Sequence, residues 1–190
     1  CSNLSTDILP VIIILGRRNV KLLKQGMFYI LANNLALDLI NTKVVDGDGN
    51  EVELLNNSGD LLDWAVVTGI LTRKQAAQAK REWVHDDGES LISRALDFRR
   101  ELKLMAEALT KGKPVPRSSV DRINEILKLK SGFFEVRADG KGYEKEFRPD
   151  LDDSVDILLA IAERAADLLC YGVPSYVKKC ERETCVLYFY

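Results

Sequence analysis

Between Glu89 and Thr110 the apolar residues Leu91, Ala95, Phe98, Leu102, Met105 and Leu109 recur in alternating steps of four and three. That spacing places all six on one face of an α-helix of about six turns. A stripe of this length cannot stay in water, so other elements must be arranged to cover it. Gly112 and Pro114 end the run. The same spacing returns at Val155, Leu158, Ala162, Ala165 and Leu169, after Pro149 and Asp150. Asp152 and Asp153 stand at the start of that second helix, where acidic groups offset its dipole.

The segments around these two helices carry shorter signals. A helix is predicted from Ser58 through Trp64, with Gly69 as its stop. Thr72 and Gln75 form a capping box for the next one. Ser118 with Asp121 suggests another cap, ahead of a face made by Val120, Ile123 and Leu127. Val44-Val45 and Val52 to Leu55 flank the loop Asp46-Gly47-Asp48-Gly49-Asn50, and Phe133 to Arg137 and Tyr143 to Phe147 flank Asp139-Gly140. Both patterns predict β-hairpins. A short strand is expected at Phe28 to Leu31, then a turn at Asn33-Asn34. The expected fold is mainly α (α+β), a helical domain with one or two small β-hairpins. Residues 1–26, which lack aromatics, are read as an N-terminal extension, either an extra element or sequence foreign to the domain, which covers 27–175.

Composition narrows function mostly by exclusion. The net charge is −2, so contact with DNA would need a local basic patch or residues outside this sequence. Four cysteines are too few for a disulfide scaffold and fit a reducing cytoplasm. The apolar run Ile8 to Leu15 contains Pro10 and falls well short of the ~20 residues of a membrane span. No nucleophile elbow, phosphate-gripping glycine loop or paired-histidine metal motif is present, and the expectation is that the chain is not an enzyme. The single histidine, His85, reads as a loop residue beside Asp86 and Asp87. Trp64 and Trp83 read as core anchors. The Asp46–Asn50 loop resembles the start of a calcium loop, but Glu51 and Asn57 stand where glycine and a bidentate acid are needed, so a hairpin loop is expected.

Two groups of residues could carry chemistry. Asp38, Asn41 and Thr42 lie within an otherwise apolar segment, and buried polar groups must find partners. They are expected either to cap and brace neighbouring elements or, with Arg99 and Arg100, to line a pocket for an acidic small molecule. Cys180 and Cys185, separated by four residues, could reach one zinc ion across a tight turn. A closed structural site needs four ligands, and spacing alone favours two ordinary reduced thiols.

The segment Leu35-Ala36-Leu37-Asp38-Leu39-Ile40-Asn41-Thr42 resembles the Leu-Asp…Asn-Thr motif of the ABATE domain, which accompanies the bacterial CGNR zinc finger. Asp60-Leu61-Leu62-Asp63-Trp64, Gly69-Ile70-Leu71 and Arg100-Glu101 are similar to later segments of that family, in the same order. Cys180 through Tyr190 looks like the first part of the finger itself, so 176–190 are expected to be its incomplete beginning. The second cysteine pair and the Cys-Gly-Asn-Arg signature do not occur in this sequence. The resemblance implies a stress-response transcription regulator, with the helical domain as sensor or assembly module. Cys180 and Cys185 would be its first zinc ligands, with zinc held firmly only in a longer chain. The implied partners are DNA through the rest of the finger, a small-molecule effector and a second copy of the chain, with no membrane. A small-molecule-binding domain or enzyme with a pocket near Asp38, Asn41 and Arg100, or a dimerisation module, are the rival readings.

Overall fold

The computed structural model describes residues 28–82, 87–130, 132–138, 140, 142–149 and 153–190. The extension at 1–26, Trp83, His85, Asp86, Asp139 and Asp152 lie outside them. The short helix α1 (Leu35–Ile40) is followed by a hairpin of β1 (Lys43–Val45) and β2 (Glu51–Glu53). Four helices come next: α2 (Ser58–Thr68), α3 (Arg73–Glu82), α4 (Asp87–Thr110) and α5 (Arg117–Leu127). A second hairpin, β3 (Gly132–Ala138) and β4 (Tyr143–Pro149), precedes the long α6 (Asp153–Cys170). The tail holds a 3-10 turn at Pro174–Tyr176 and a pair of two-residue strands, β5 (Lys178–Lys179) and β6 (Tyr188–Phe189). The chain is therefore mainly α with small antiparallel hairpins, as expected.

Several helix ends are set by side-chain or glycine caps. Asn34 caps α1, accepting from the N–H groups of Ala36 and Leu37. Asn57 caps α2, and Gly69 stops it in the left-handed region at φ 81°, which a residue with a Cβ resists. The predicted box is present at α3: Thr72 N–H donates to Gln75 Oε1 at 2.9 Å, and Gln75 N–H donates to Thr72 Oγ1 at 3.2 Å. Ser118, by contrast, does not cap α5. That helix starts one residue earlier, after Pro116, with no side-chain cap. The useful serine is Ser119, buried and donating to the Glu101 carbonyl of α4 at 3.0 Å.

The predicted stripe of α4 is the floor of the core. Leu91, Ala95, Phe98, Leu102, Met105 and Leu109 are all buried, and α4 packs against α1, α2, α5 and α6. Both predicted hairpins form, with Val44 opposite Val52 in the first and Phe134 opposite Phe147 in the second. In the first, Asp46 closes the loop by accepting from the N–H groups of Asp48 and Asn50. The expected strand at Phe28 to Leu31 is not one. Those residues run as an irregular segment whose last N–H points into α1, because a buried carboxylate there offers a better acceptor than a strand edge would. No helix among the described residues is long and apolar enough to cross a membrane.

Candidate functional site

The helix α1 is only six residues long, yet four polar side chains on and beside it each tie down a different segment. All four are buried. Asn34, besides capping, donates from Nδ2 to the Arg164 carbonyl of α6 at 3.0 Å. Asp38 Oδ1 accepts from the N–H groups of Leu31 and Ala32, each at 2.9 Å. Thr42 Oγ1 donates to the Leu39 carbonyl at 2.6 Å and accepts from Arg99 Nη1 at 2.7 Å. Asn41 makes the longest connection in sequence. Its Nδ2 donates to the Tyr188 carbonyl at 2.9 Å, and its Oδ1 accepts the Tyr188 N–H at 2.8 Å.

The Asn41 carboxamide thus pairs with the outer edge of β6 as a neighbouring strand would. The inner edge of β6 faces β5, with Lys179 opposite Tyr188 and the Cys180 N–H donating to the Leu187 carbonyl at 2.9 Å. The connection between the strands carries Cys180 and Cys185, and a turn closes it where the Cys185 N–H donates to the Arg182 carbonyl at 3.0 Å. The Cys180 side chain lies near enough to Cys185 to act on its thiol. Burial pushes the Cys185 thiol up, the adjoining Cys180 adds to this, and the Leu187 N–H aimed at the sulfur pulls it down. Tyr188 is buried, and Val177 and Leu187 are buried beside the strands. The tail is therefore a knuckle seated on the helical body.

Cys180 and Cys185 flank a tight turn, the spacing of a two-sulfur half of a zinc site, although burial holds the Cys185 thiol above its ordinary range and so works against the thiolate a metal needs. Among the described residues no cluster of three or more potential ligands exists to complete it. Cys170, at the end of α6, is exposed and not in a disulfide. Gly172 lets the chain leave α6 toward the knuckle, since a Cβ there would collide with the Leu168 carbonyl.

The two arginines have different fates. Arg99 is buried against α1 and the first hairpin, donating to Thr42, to Glu53 Oε1 at 2.8 Å and to Glu53 Oε2. Arg100 is exposed and pairs with Asp97 at 2.9 Å. Both line a cleft on the surface of α4, whereas Asp38, Asn41 and Thr42 do not. Periodicity and spacing could not find Asn34 and Glu53, because their partners, Arg164 and Arg99, are remote in sequence.

Residues 33–172 match the family model ABATE, whose description reads "Putative stress-induced transcription regulator". This chain belongs to the ABATE family. The match begins one residue before the cap of α1 and ends at Gly172, so α1 to α6 constitute the ABATE domain and the knuckle follows it. No curated protein matches the chain as a relative.

Within the ABATE domain Asp38 makes a prediction about pH. Burial pushes its carboxyl up to about 6, although the N–H groups of Ala32, Leu31 and Asn34 pull it down. An unfolded aspartate titrates near 3.8. Between those values the folded domain keeps a proton that the unfolded chain has released, so this contribution to stability is complete below pH 3.8 and is lost as pH rises through 6. The loss amounts to roughly 2–3 kcal/mol. Asp38→Asn keeps the Oδ1 acceptor and removes the titration. Denaturant unfolding of both proteins from pH 4 to 7 should show the wild type losing ground to the variant by about that amount. A constant difference across the range would contradict the assignment.

Proposed function

We propose that this chain is the sensing and assembly part of a transcription regulator, whose Cys180 and Cys185 are the first two ligands of a zinc-bound DNA reader. A second cysteine pair, supplied by sequence C-terminal to Tyr190, would complete the tetrahedron. What carries the reading is the knuckle: two neighbouring cysteines beside a tight turn, held against the ABATE domain through both hydrogen-bonding atoms of Asn41. Membership of a family described as a stress-induced regulator supports it. The free thiols suit a reducing cytoplasm. In this reading the helical domain performs no reaction, and Asp38, Asn41, Thr42 and Arg99 serve to brace it through backbone groups, Glu53 and one another.

Zinc, when bound, would supply a structural crosslink. This chain would offer the metal the sulfurs of Cys180 and Cys185, and Asn41 fixes the knuckle that carries them relative to the body. The test is to extend the chain through a second cysteine pair and measure metal content and DNA retardation together. One zinc per extended chain is expected, with both zinc and DNA binding lost in Cys180→Ser and Cys185→Ser. The 190-residue chain should hold far less than one equivalent, because two ligands make half a site. DNA retardation that survives both serine substitutions would refute the proposal.

A further inference from the structure

The surface of α4 away from its buried stripe holds a cleft of about 410 Å³ formed by α4, the end of α1, the first hairpin and the knuckle. Ser93, Leu96, Asp97, Arg100 and Lys103 line it from α4 at helical spacing. Lys43 and Glu51 line it from the first hairpin, and Val186 from the knuckle. Its apolar surface comes from Ile40, Leu96 and Val186. The volume falls within the range of small-ligand sites.

The charges around the cleft differ in availability. Arg99 is held by Glu53 and Thr42, and Lys43 is paired with Glu51 at 2.7 Å. Among the described residues Arg100 pairs only with Asp97, one helical turn away, and its side chain is 77% exposed. Such an exposed pair exchanges partners at little cost. Lys103 has no direct ion pair among the described residues, and it lies one turn beyond Arg100 on the same helical face.

We propose that this cleft binds a monoanionic carboxylate with a hydrophobic body. The carboxylate would be gripped by Arg100 and Lys103, and the body would lie on Ile40, Leu96 and Val186. Two available cations beside an apolar floor match one carboxylate on an apolar frame. The acids Glu51 and Asp97 in the same cleft work against phosphates and other multiply charged anions. Because Val186 follows Cys185 directly, the ligand would touch the ABATE domain and the knuckle at once. The inference goes beyond DNA reading and needs no DNA for its test.

The experiment titrates the 190-residue chain with benzoate and hexanoate by calorimetry and by methyl NMR, at neutral pH. Benzyl alcohol, 1-hexanol and acetate serve as counterparts lacking the charge or the body. Benzoate or hexanoate should bind at least tenfold tighter than its alcohol and than acetate, and should shift the Val186 methyl signals. Arg100→Gln combined with Lys103→Gln, both at exposed positions, should erase that tenfold preference, while Lys74→Gln on α3 should leave it intact. Carboxylates that bind no better than the alcohols, or an undiminished preference in the double variant, would overturn the proposal. Failure of the DNA test would leave these outcomes unchanged.

Discussion

Replacing Asn41 with alanine is expected to release the knuckle from the body while leaving the helices in place. The substitution deletes both partners of the Tyr188 backbone, one donor and one acceptor, at a site with no access to water. An unpartnered buried backbone group costs about 1–3 kcal/mol, so leaving two in place would cost about 2–6 kcal/mol. The knuckle can escape part of that by swinging off, because solvent then satisfies the exposed groups. The effect should therefore be local. Alkylation of Cys180 and Cys185 should accelerate at least tenfold, and hydrogen exchange at the Tyr188 amide should lose its protection. Global unfolding should shift less than the full penalty. Asn41→Asp keeps the acceptor but has no donor for the Tyr188 carbonyl, and should also release the knuckle. Unchanged alkylation rates in Asn41→Ala would mean that the burial of Tyr188, Val177 and Leu187 holds the tail without the asparagine.

Arg99→Met should cost about 3–5 kcal/mol of global stability. Arg99 joins α4 to β2 through two contacts with Glu53 and to the end of α1 through Thr42. Methionine fills much of the volume but leaves the Glu53 carboxylate, itself mostly covered, without its cation. Burial raises Glu53, but hydrogen bonds from Arg99 and the Leu55 N–H outweigh this and hold it below the ordinary glutamate range. Its contribution is thus present at neutral pH and is lost as pH falls through the lowered folded value, opposite in sign to that of Asp38. Arg100→Met, one position along, should change stability by less than about 0.5 kcal/mol. Thermal or denaturant unfolding of the two variants makes the comparison. Equal losses would show that the arginine pair acts only through net charge.

That contrast also marks how far the sequence could be read. The stripe of α4, the stop at Gly69 and the box of Thr72 and Gln75 are local, and each depends on residues within a few turns of each other. The fold class follows from them. Asp38, Asn41 and Thr42 stand out as polar residues in an apolar run, but their partners lie in other elements, at Ala32, Tyr188 and Arg99. Nothing periodic connects Asn41 with a residue 147 positions away. Arg99 and Arg100 are neighbours whose side chains leave the helix about 100° apart, enough to bury one and expose the other. The strand expected at Phe28 to Leu31 failed because a buried carboxylate took its amides, which composition alone cannot reveal. The cleft residues were half visible, since the two arginines were singled out while Lys43, Lys103 and Val186 belong to it only through tertiary packing.

Asn41 grips the peptide unit of Tyr188 and not its ring, so those two hydrogen bonds do not discriminate among residues at position 188. Evolution could therefore exchange the appended tail for another of different side chains, provided a short extended stretch arrives at the same spot. The amide at position 41 has no such latitude: it works as a socket, and what plugs into it is free to diversify.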